Sequence, residues 1–311
     1  MSSIDLSIVV PFFNEEENVS EVYAELNSVL NELDLDYEII FVNDGSTDNT
    51  DAEIKSICNT NASTLGLSLS RNYGHQIALI AGLEHAKGDL VLSMDGDLQH
   101  PASLIQSLID KAKSGFDVVN TIRIDEEGIK AGKKLSSKWF YTILNSVSDV
   151  PVRKSSSDFR LMNRKSLDAF LKMKEKDRFN RGLVSWMGFR QAFIEFEARP
   201  RQNGQSKFTP RKMWSFAGDG IFAFSSKPLR VSFYLGVVVS FLSLIYIAYS
   251  VSQYFLGNTV PGWTSLLVTV LFLGGIQLLS IGIMGEYIRR IFNEVKGRPL
   301  YFVQEYHSKS D

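Results

Sequence analysis

The sequence contains almost no cysteine, and this limits the chemistry open to it. One cysteine, Cys58, occurs among 311 residues. A single cysteine excludes an intrachain disulfide and any zinc site built from several cysteines. Internal repeats and low-complexity tracts are also absent from the sequence, as is any recognised nucleic-acid-binding module. We therefore expect no nucleic-acid partner.

Charged residues are missing from two long stretches near the end of the sequence. Residues 231–256 and 263–285 contain no Asp, Glu, Lys or Arg. As helices rising about 1.5 Å per residue, both can cross a hydrocarbon core roughly 30 Å thick. Basic residues precede the first stretch and follow the second, which predicts that both ends are cytoplasmic. We predict a transmembrane hairpin over 229–290, with spans at about 231–256 and 263–287, and a cytoplasmic tail over 291–311.

A near-zero net charge hides an uneven distribution of charge. Residues 1–128 contain 23 acidic and 6 basic residues, whereas residues 129–230 contain 22 basic and 8 acidic ones. The basic middle indicates a polyanionic partner or a membrane surface. Within it, 130–148 and 211–228 combine basic and aromatic residues, which predicts amphipathic helices at the membrane interface. Ordinary amphipathic helices packed on a sheet would show the same pattern.

Short apolar runs alternate with helical patterns through the first part of the sequence. The runs are 6–11, 38–42, 64–69 and 90–94. This alternation predicts an α/β fold with a mostly parallel sheet. We assign this domain to residues 1–210.

Acidic side chains follow two of these strand-like runs. Asp44 follows the second run, and Asp95, Asp97 and Gln99 follow the fourth. The carboxyl ends of parallel strands form the ligand-binding edge of such sheets. Three oxygen donors in one tight turn suit Mg²⁺ or Mn²⁺. A solvated Asp-Gly turn, or an Asp44 that caps the next helix, would explain the same residues without a ligand.

Several motifs in a fixed order resemble family 2 glycosyltransferases. They are 9–16 (VVPFFNEE), 42–48 (VNDGSTD), 94–101 (MDGDLQHP), 157–161 (SDFRL) and 201–208 (RQNGQSKF). The hairpin and the segment 285–288 (GEYI) further resemble the polyprenyl-phosphate glycosyltransferases, of the dolichyl-phosphate mannose synthase and bacterial glucosyltransferase type. The resemblance covers nearly the whole chain and implies a GT-A domain, a divalent metal, and transfer of one sugar onto a membrane polyprenyl phosphate.

The resemblance also implies roles for residues on the donor side. Those expected to contact the donor nucleotide are Pro11, Glu15, Asp44 and Asp95. Those expected to hold Mg²⁺ or Mn²⁺ on its diphosphate are Asp95, Asp97 and Gln99. Arg201 and Lys207 are expected to close over the diphosphate from a Gly-containing loop, although a solvated turn is the alternative there.

On the acceptor side, the resemblance implies that the nucleophile is a lipid phosphate. Such a phosphate is already mostly dianionic at neutral pH, since its second pKa is about 6. It hardly needs a strong base. We therefore expect the implied catalytic residues, Asp158 and Asp97, to act mainly by orienting groups and stabilising charge. Asp158 paired to Arg160 in a structural role is the alternative. The acceptor phosphate is expected to bind to the cations Arg123, Lys133 and Lys138 and to the neutral side chain of Ser137.

The sequence leaves the donor, the lipid and the assembly open. UDP-glucose is the first choice of donor, ahead of GDP-mannose and a UDP-N-acetylhexosamine, and the lipid is undecaprenyl or dolichyl phosphate. A processive polysaccharide synthase is one rival, although its usual Gln-x-x-Arg-Trp motif and additional spans are missing from the sequence. A non-catalytic nucleotide-binding membrane scaffold and a soluble nucleotidyltransferase are the others. Gly274, Gly275 and Gly282 are compatible with a homo-oligomer formed by the spans. A bacterial inner membrane is the expected location.

Overall fold

The computed structural model describes residues 4–124, 156–176, 178–197, 199, 225, 227–257 and 262–309. The predicted interfacial helix 130–148 and nearly all of 211–228 lie outside these residues. The same holds for five of the predicted site residues, namely Lys133, Ser137, Lys138, Arg201 and Lys207. Their assignments stay predictions.

An eight-stranded sheet forms the centre of the domain, in the order β7-β5-β6-β4-β1-β2-β3-β8. The strands are β1 Leu6–Phe12, β2 Tyr37–Asn43, β3 Thr64–Leu69, β4 Leu90–Ser93, β5 Val118–Ile124, β6 Ser156–Asn163, β7 Gln191–Glu197 and β8 Val303–His307. Four of the neighbouring pairs are parallel and three, all involving β6 or β8, are antiparallel. The prediction of a mostly parallel sheet is confirmed.

Helices cover both faces of the sheet. They are α1 Glu16–Leu30, α2 Thr50–Thr60, α3 His75–His85, α4 Ile105–Lys113, α5 Arg164–Lys172 and α6 Asn180–Trp186, with a 3₁₀ turn at Ala102–Leu104. One core cluster contains the apolar stripes of α1, α2 and α4, and a second contains those of α3, α5 and α6. Alternate strand residues such as Ile8 and Val9 belong to opposite clusters. Burial on both faces explains why these strands read as continuous apolar runs.

Two long apolar helices follow the domain, α7 Lys227–Phe255 and α8 Trp263–Val295. Their large side chains are exposed rather than packed in a core, as at Phe233, Phe241 and Leu278. Both helices are long and apolar enough to cross a membrane by length and composition. Exposure of such an apolar surface to water is unfavourable, whereas a hydrocarbon environment suits it. The pair corresponds to the predicted hairpin, with α8 continuing past residue 287 to Val295.

The segment predicted as a tail over 291–311 contains a strand of the sheet, and the prediction is wrong in this respect. β8 lies antiparallel to β3, with Gly66 opposite His307 and Leu69 opposite Val303. The sequence of β8, VQEYH, is short and mostly polar. It is polar because an edge strand exposes most of its side chains, and so it resembles a tail in a sequence. The two spans are therefore flanked on both sides by strands of one sheet.

His307 connects β8 to the domain, and its removal tests this arrangement. Its side chain is buried, and Nε2 lies 3.1 Å from Ser68 Oγ and 3.5 Å from Asp51 Oδ1. We expect His307→Ala to lower the free energy of unfolding by about 1–3 kcal/mol, because Ser68 loses a buried partner. Thermal unfolding in detergent measures the change. The control is Ser308→Ala, one residue past the strand and exposed; equal stability of both variants would contradict a structural role for β8.

Candidate active site

Asp44 connects the loops that follow β2 and β3. Its Oδ1 accepts a hydrogen bond from the backbone N–H of Tyr73 at 2.7 Å, and its Oδ2 accepts one from Gly74 at 2.9 Å. The side chain is buried, and burial raises the pKa of Asp44 while the two N–H groups oppose that effect. Asp44 therefore shapes the edge of the sheet where ligands bind in such folds. Its contact with a nucleoside stays a prediction.

Gly45 allows these two loops to touch. Its φ is +64°, and a Cβ at this position would lie 2.3 Å from the carbonyl carbon of Arg71. Any other residue would push the loops apart, because its Cβ would meet backbone atoms, which cannot move aside as the end of a side chain can. Together, Asp44 and Gly45 hold the loops after β2 and β3 in contact.

Two more of the predicted nucleotide-binding residues, Pro11 and Glu15, lie at the end of β1 and in the loop that follows it. Pro11 is buried in β1 opposite Val42 of β2. Glu15 precedes α1; its N–H donates to Thr50 Oγ1 at 3.0 Å, and its carboxylate accepts from Asn18 Nδ2 at 2.6 Å. Both residues lie at the same edge of the sheet as Asp44. This agrees with a shared crevice, while their roles stay predictions.

The Asp-Gly-Asp turn after β4 is packed tightly against β1. A Cβ at Gly96 would lie 2.4 Å from Cε1 of Phe12, so only glycine fits beneath that ring. Leu98 adopts a φ of +59°, which is unusual for a branched residue. The N–H of Gln99 donates to Asp97 Oδ1 at 3.2 Å and closes the turn. The turn therefore has a defined shape before any ligand binds.

His100 connects this turn to β6. Its Nδ1 accepts the backbone N–H of Asp95 at 3.1 Å, so Nε2 carries the proton and donates to Ser157 Oγ at 2.9 Å. The ring is buried and stacks on Phe159, with the ring centroids 4.9 Å apart. His100 thereby connects the Asp95 backbone to the strand that bears Asp158.

The turn offers a donor set that fits a divalent metal. One potential ligand atom from each of Asp95, Asp97 and His100 lies within 4.8 Å of the others. Both ring nitrogens of His100 already have partners, which leaves the carboxylates as the available donors. Asp95 Oδ1 is buried and lies 3.1 Å from His75 Nε2, and it has no other partner among the described residues. Hard oxygen donors of this kind suit Mg²⁺ or Mn²⁺.

Gln99 and Arg123, predicted to serve the metal and the acceptor respectively, contact each other. Gln99 Oε1 accepts a hydrogen bond from Nη1 of Arg123 at 3.2 Å. Arg123 lies near the end of β5 and is exposed. One predicted metal ligand therefore contacts one predicted acceptor residue. Because an amide oxygen has two lone pairs, Gln99 can keep this bond and still bind a metal.

Asp158 is a buried carboxylate surrounded by positive charge. The register of β4 with β6 puts Ser93 opposite Arg160, and Ser93 Oγ donates to the carbonyl oxygen of Asp158 at 2.6 Å. Asp158 Oδ1 accepts from Arg160 Nη2 at 2.8 Å, and Oδ2 accepts from Arg181 Nη2 at 3.1 Å. Burial acts to raise the pKa of Asp158, but the two arginines outweigh it and hold that pKa far below its usual range.

Three further residues of the site were missed in the sequence, namely His75 and Gln76 at the start of α3 and Arg181 on α6. Gln76 Nε2 donates to Asp158 Oδ2 at 3.0 Å. His75 Nε2 lies 3.1 Å from Asp95 Oδ1 and 3.9 Å from Asp158 Oδ2. Burial acts to lower the pKa of His75, but these carboxylates raise it to about 9. The position of these residues after a buried strand was the available signal; Arg181, on α6, has no comparable signal.

The cluster therefore combines two kinds of group. Asp95 and Asp97 present carboxylate oxygens, whereas His75, Arg160 and Arg181 present positive charge around Asp158. His75 and His100 help to lower the pKa of Asp95 to about 2 against the effect of burial. The site is therefore suited to bind a metal and to stabilise negative charge that develops beside it.

Comparison with known proteins agrees with this site. Residues 7–171 match Glycosyl transferase family 2, and residues 227–291 match the GtrB C-terminal hairpin. An uncharacterized glycosyltransferase of Synechocystis is 44% identical over 97% of this chain and 96% of its own length. A bactoprenol glucosyl transferase of Shigella phage SfV is 39% identical over 98% of this chain and 99% of its own length.

The similarity to solved structures is weaker. A mannosyltransferase from Pyrobaculum calidifontis, in complex with GDP-Man and Mn²⁺, matches with a TM-score of 0.48 and 15% identity, over 96% of this chain and 89% of its own. Similarity at this level says nothing about substrate or metal. The family match and the full-length relatives, together with the carboxylate turn at the edge of a mostly parallel GT-A sheet, lead to one conclusion: the chain belongs to glycosyl transferase family 2.

Proposed function

We propose that this glycosyltransferase moves one glucosyl residue from UDP-glucose to a polyprenyl phosphate and leaves a lipid-linked monosaccharide in the cytoplasmic leaflet. The observation that carries the proposal is the similarity to bactoprenol glucosyl transferases over nearly the full length of both chains, hairpin included. The names of those relatives support the sugar and the acceptor. GDP-mannose and a UDP-N-acetylhexosamine are the alternative donors.

The donor is proposed to lie along the edge of the sheet after β1, β2 and β4. Its nucleoside would contact Pro11, Glu15 and Asp44, and its diphosphate would lie at the Asp95–Asp97 turn. Asp95 and Asp97 would hold Mg²⁺ or Mn²⁺, with Gln99 as a third donor, and the bound metal would neutralise the charge that grows on the leaving diphosphate. Arg201 and Lys207 are proposed to add two cations to the same diphosphate.

The acceptor is proposed to attack through a phosphate oxygen. As the new bond forms at the anomeric carbon, the bond to the nucleoside diphosphate breaks, so a single displacement inverts the configuration at that carbon. Arg123, Lys133, Ser137 and Lys138 are proposed to bind the acceptor phosphate. The contact of Arg123 with Gln99 at 3.2 Å supports this, because it brings an acceptor residue next to the turn that would hold the donor.

Asp158 is proposed to position groups rather than to accept a proton. Each of its oxygens already accepts a hydrogen bond from an arginine, and Oδ2 accepts another from Gln76. A carboxylate with so low a pKa is a poor base, and a phosphate dianion does not need one. In this proposal Asp158 fixes Arg181, Gln76 and His75 beside the reacting groups.

The sheet supports a membrane arrangement in which both ends of the hairpin lie on one side. Strands β1 to β7 precede the two long helices and β8 follows them, yet all eight belong to one sheet. If the two helices cross the membrane, the second span returns the chain to the side on which the domain lies. The basic residues outside both spans support the cytoplasmic side. The product would then form on the cytoplasmic face of a bacterial inner membrane.

One assay tests the proposal against its rivals. The purified full-length protein is incubated with labelled UDP-glucose, GDP-mannose or a UDP-N-acetylhexosamine, with Mn²⁺ and a short polyprenyl phosphate. We expect a lipid-linked monosaccharide, with UDP-glucose as the best donor. Polymer would indicate a processive synthase, and binding without turnover would indicate a scaffold; each of these results contradicts the proposal.

Asp97→Ala tests the metal assignment. Loss of one hard oxygen donor is expected to reduce metal-dependent transfer by about 100-fold or more. Chelation with EDTA should have a similar effect on the unsubstituted protein, and thermal unfolding without metal should be nearly unchanged. The control is Asp110→Ala, an exposed residue of α4. Near-normal turnover of Asp97→Ala would show that the assignment is wrong.

The pH dependence of transfer tests the role of Asp158. Because its pKa is lowered in the folded state, Asp158 is ionised at all pH values above its ordinary pKa of about 4 and stabilises the fold there. This stabilisation is lost only as the pH falls below that value. We therefore expect the acidic limb of the kcat/KM profile to have the same pKa in the unsubstituted protein and in Asp158→Asn, while kcat falls in the variant.

Asp158→Asn is also expected to lower the free energy of unfolding, so the kinetic comparison needs a check that the variant is folded. It leaves the buried Arg160 without its carboxylate, and we expect a loss of about 3–5 kcal/mol of unfolding free energy near neutral pH. Profiles are therefore recorded at a temperature where thermal unfolding shows the variant to be folded. An acidic limb near pH 6 that disappears in the variant would identify Asp158 as a base after all.

Lys133→Glu tests the acceptor assignment. Reversing a charge at the acceptor phosphate is expected to raise the KM for polyprenyl phosphate by about tenfold or more and to leave the KM for the donor unchanged. Lys134→Glu, the same change on the neighbouring residue, is the control. Similar acceptor KM values in both variants would remove Lys133 from the acceptor site.

A further inference from the structure

A cavity of about 380 Å³ lies between the loop after β3 and the end of α8. Four basic residues contribute to its lining, Arg71, Lys176, Lys296 and Arg298, and no acidic residue does. Its size falls within the range of roughly 300–1,000 Å³ that is usual for small-molecule sites. Several cations around one cavity repel one another, and an anion bound between them would offset that repulsion.

Aromatic rings and a backbone carbonyl contact three of these cations. Arg71 lies over the ring of Tyr73 at 4.3 Å, and Lys296 lies over the ring of Phe292 at 4.2 Å. The Nζ of Lys176 donates to the carbonyl oxygen of Arg298. The carboxylate of Glu294, close by, accepts the backbone N–H of Lys176 at 2.6 Å. Among the described residues, none of the four cations forms an ion pair with a carboxylate.

An apolar stripe leads along α8 to this cavity. Ile288, Ile291, Phe292 and Val295 follow the spacing of one helix face and are between 57% and 78% exposed. Phe292 touches Lys296, so the stripe ends where the basic lining begins. The stripe forms the last part of the candidate span Val268–Val295, so the cavity lies next to the end of that span. A ligand that matches both surfaces has an anionic head and an apolar chain.

We propose that this cavity binds the phosphate headgroup of an anionic membrane phospholipid, whose acyl chain lies along the stripe of α8. Arginine and lysine are well suited to phosphate, and basic residues beside a span are attracted to anionic lipids. The site is separate from the acceptor residues proposed above and uses none of them. It is therefore independent of which sugar or acceptor the enzyme uses.

The bound lipid would stabilise the loop on the donor side of the active site. The cavity is lined by Tyr73 and Gly74, whose N–H groups hold Asp44, and His75 follows directly in the chain. At the other end of the same loop, the N–H of Ser70 donates to the carbonyl oxygen of Phe302 at 3.0 Å. A phosphate bound to Arg71 and Arg298 would fix this loop to the end of α8.

Lipid binding to the purified full-length protein in a neutral detergent tests the proposal directly. Short-chain phosphatidylglycerol is titrated, and bound lipid is counted by native mass spectrometry. Phosphatidylcholine of the same chain length and inorganic phosphate serve as probes of the headgroup and of the free anion. We expect phosphatidylglycerol to bind the unsubstituted protein and to bind Lys296→Ala/Arg298→Ala about tenfold or more weakly.

Lys172→Ala/Lys309→Ala is the matched control, since it removes two exposed cations that do not line the cavity. It should bind phosphatidylglycerol like the unsubstituted protein. If thermal unfolding shows that the double variant is not folded, Lys296→Gln replaces it. This is a milder change at an exposed helix end, and it should also weaken the binding of phosphatidylglycerol.

Four results would overturn the proposal. Equal weakening in the control pair would indicate a general charge effect. Equal binding of phosphatidylcholine would show that the anionic headgroup is not recognised, and equal binding of inorganic phosphate would indicate a site for a free anion. Displacement of phosphatidylglycerol by UDP would make the cavity a part of the donor site. Each readout is binding rather than transfer, so the result stands whether or not the proposed reaction is correct.

Discussion

The pairing of β4 with β6 is the constraint on which the active site depends. These strands are antiparallel, and their register sets Ser93 opposite Arg160, so that Asp158 lies beside the turn that begins at Asp95. A shift by one residue would turn Asp158 to the other face of the sheet and leave its carboxylate in an apolar core. The bond from Ser93 Oγ to the carbonyl of Asp158, and the link of His100 to Ser157, both hold this register.

Positive charge is the second requirement, because a buried carboxylate is costly without it. Asp158 receives this charge from its own strand through Arg160 and from α6 through Arg181. Of these cations, Arg160 also interacts electrostatically with Asp95 in the turn, next to the proposed position of the donor diphosphate. One group of side chains thus stabilises the fold and prepares the site.

The sequence predicted the first half of this arrangement well, for physical reasons. Strands buried on both faces read as apolar runs, and the residues after them fall at one edge of the sheet, so Asp44 and Asp95 were found from local patterns. His75, Gln76 and Arg181 were not found, because their importance arises from contacts with Asp158 across more than twenty residues of chain. β8 was missed because a short, polar edge strand does not differ from a tail in its composition.

The return of β8 to the sheet has a consequence for how the protein is made. The strand that covers the edge of β3 is the last to be synthesised and becomes available only after both long helices have left the ribosome. Until then the nascent domain exposes the unpaired backbone of β3, which is a surface prone to association with other chains. Completion of the domain therefore requires that both helices be synthesised first, and a truncated form that ends before α7 would carry an open edge.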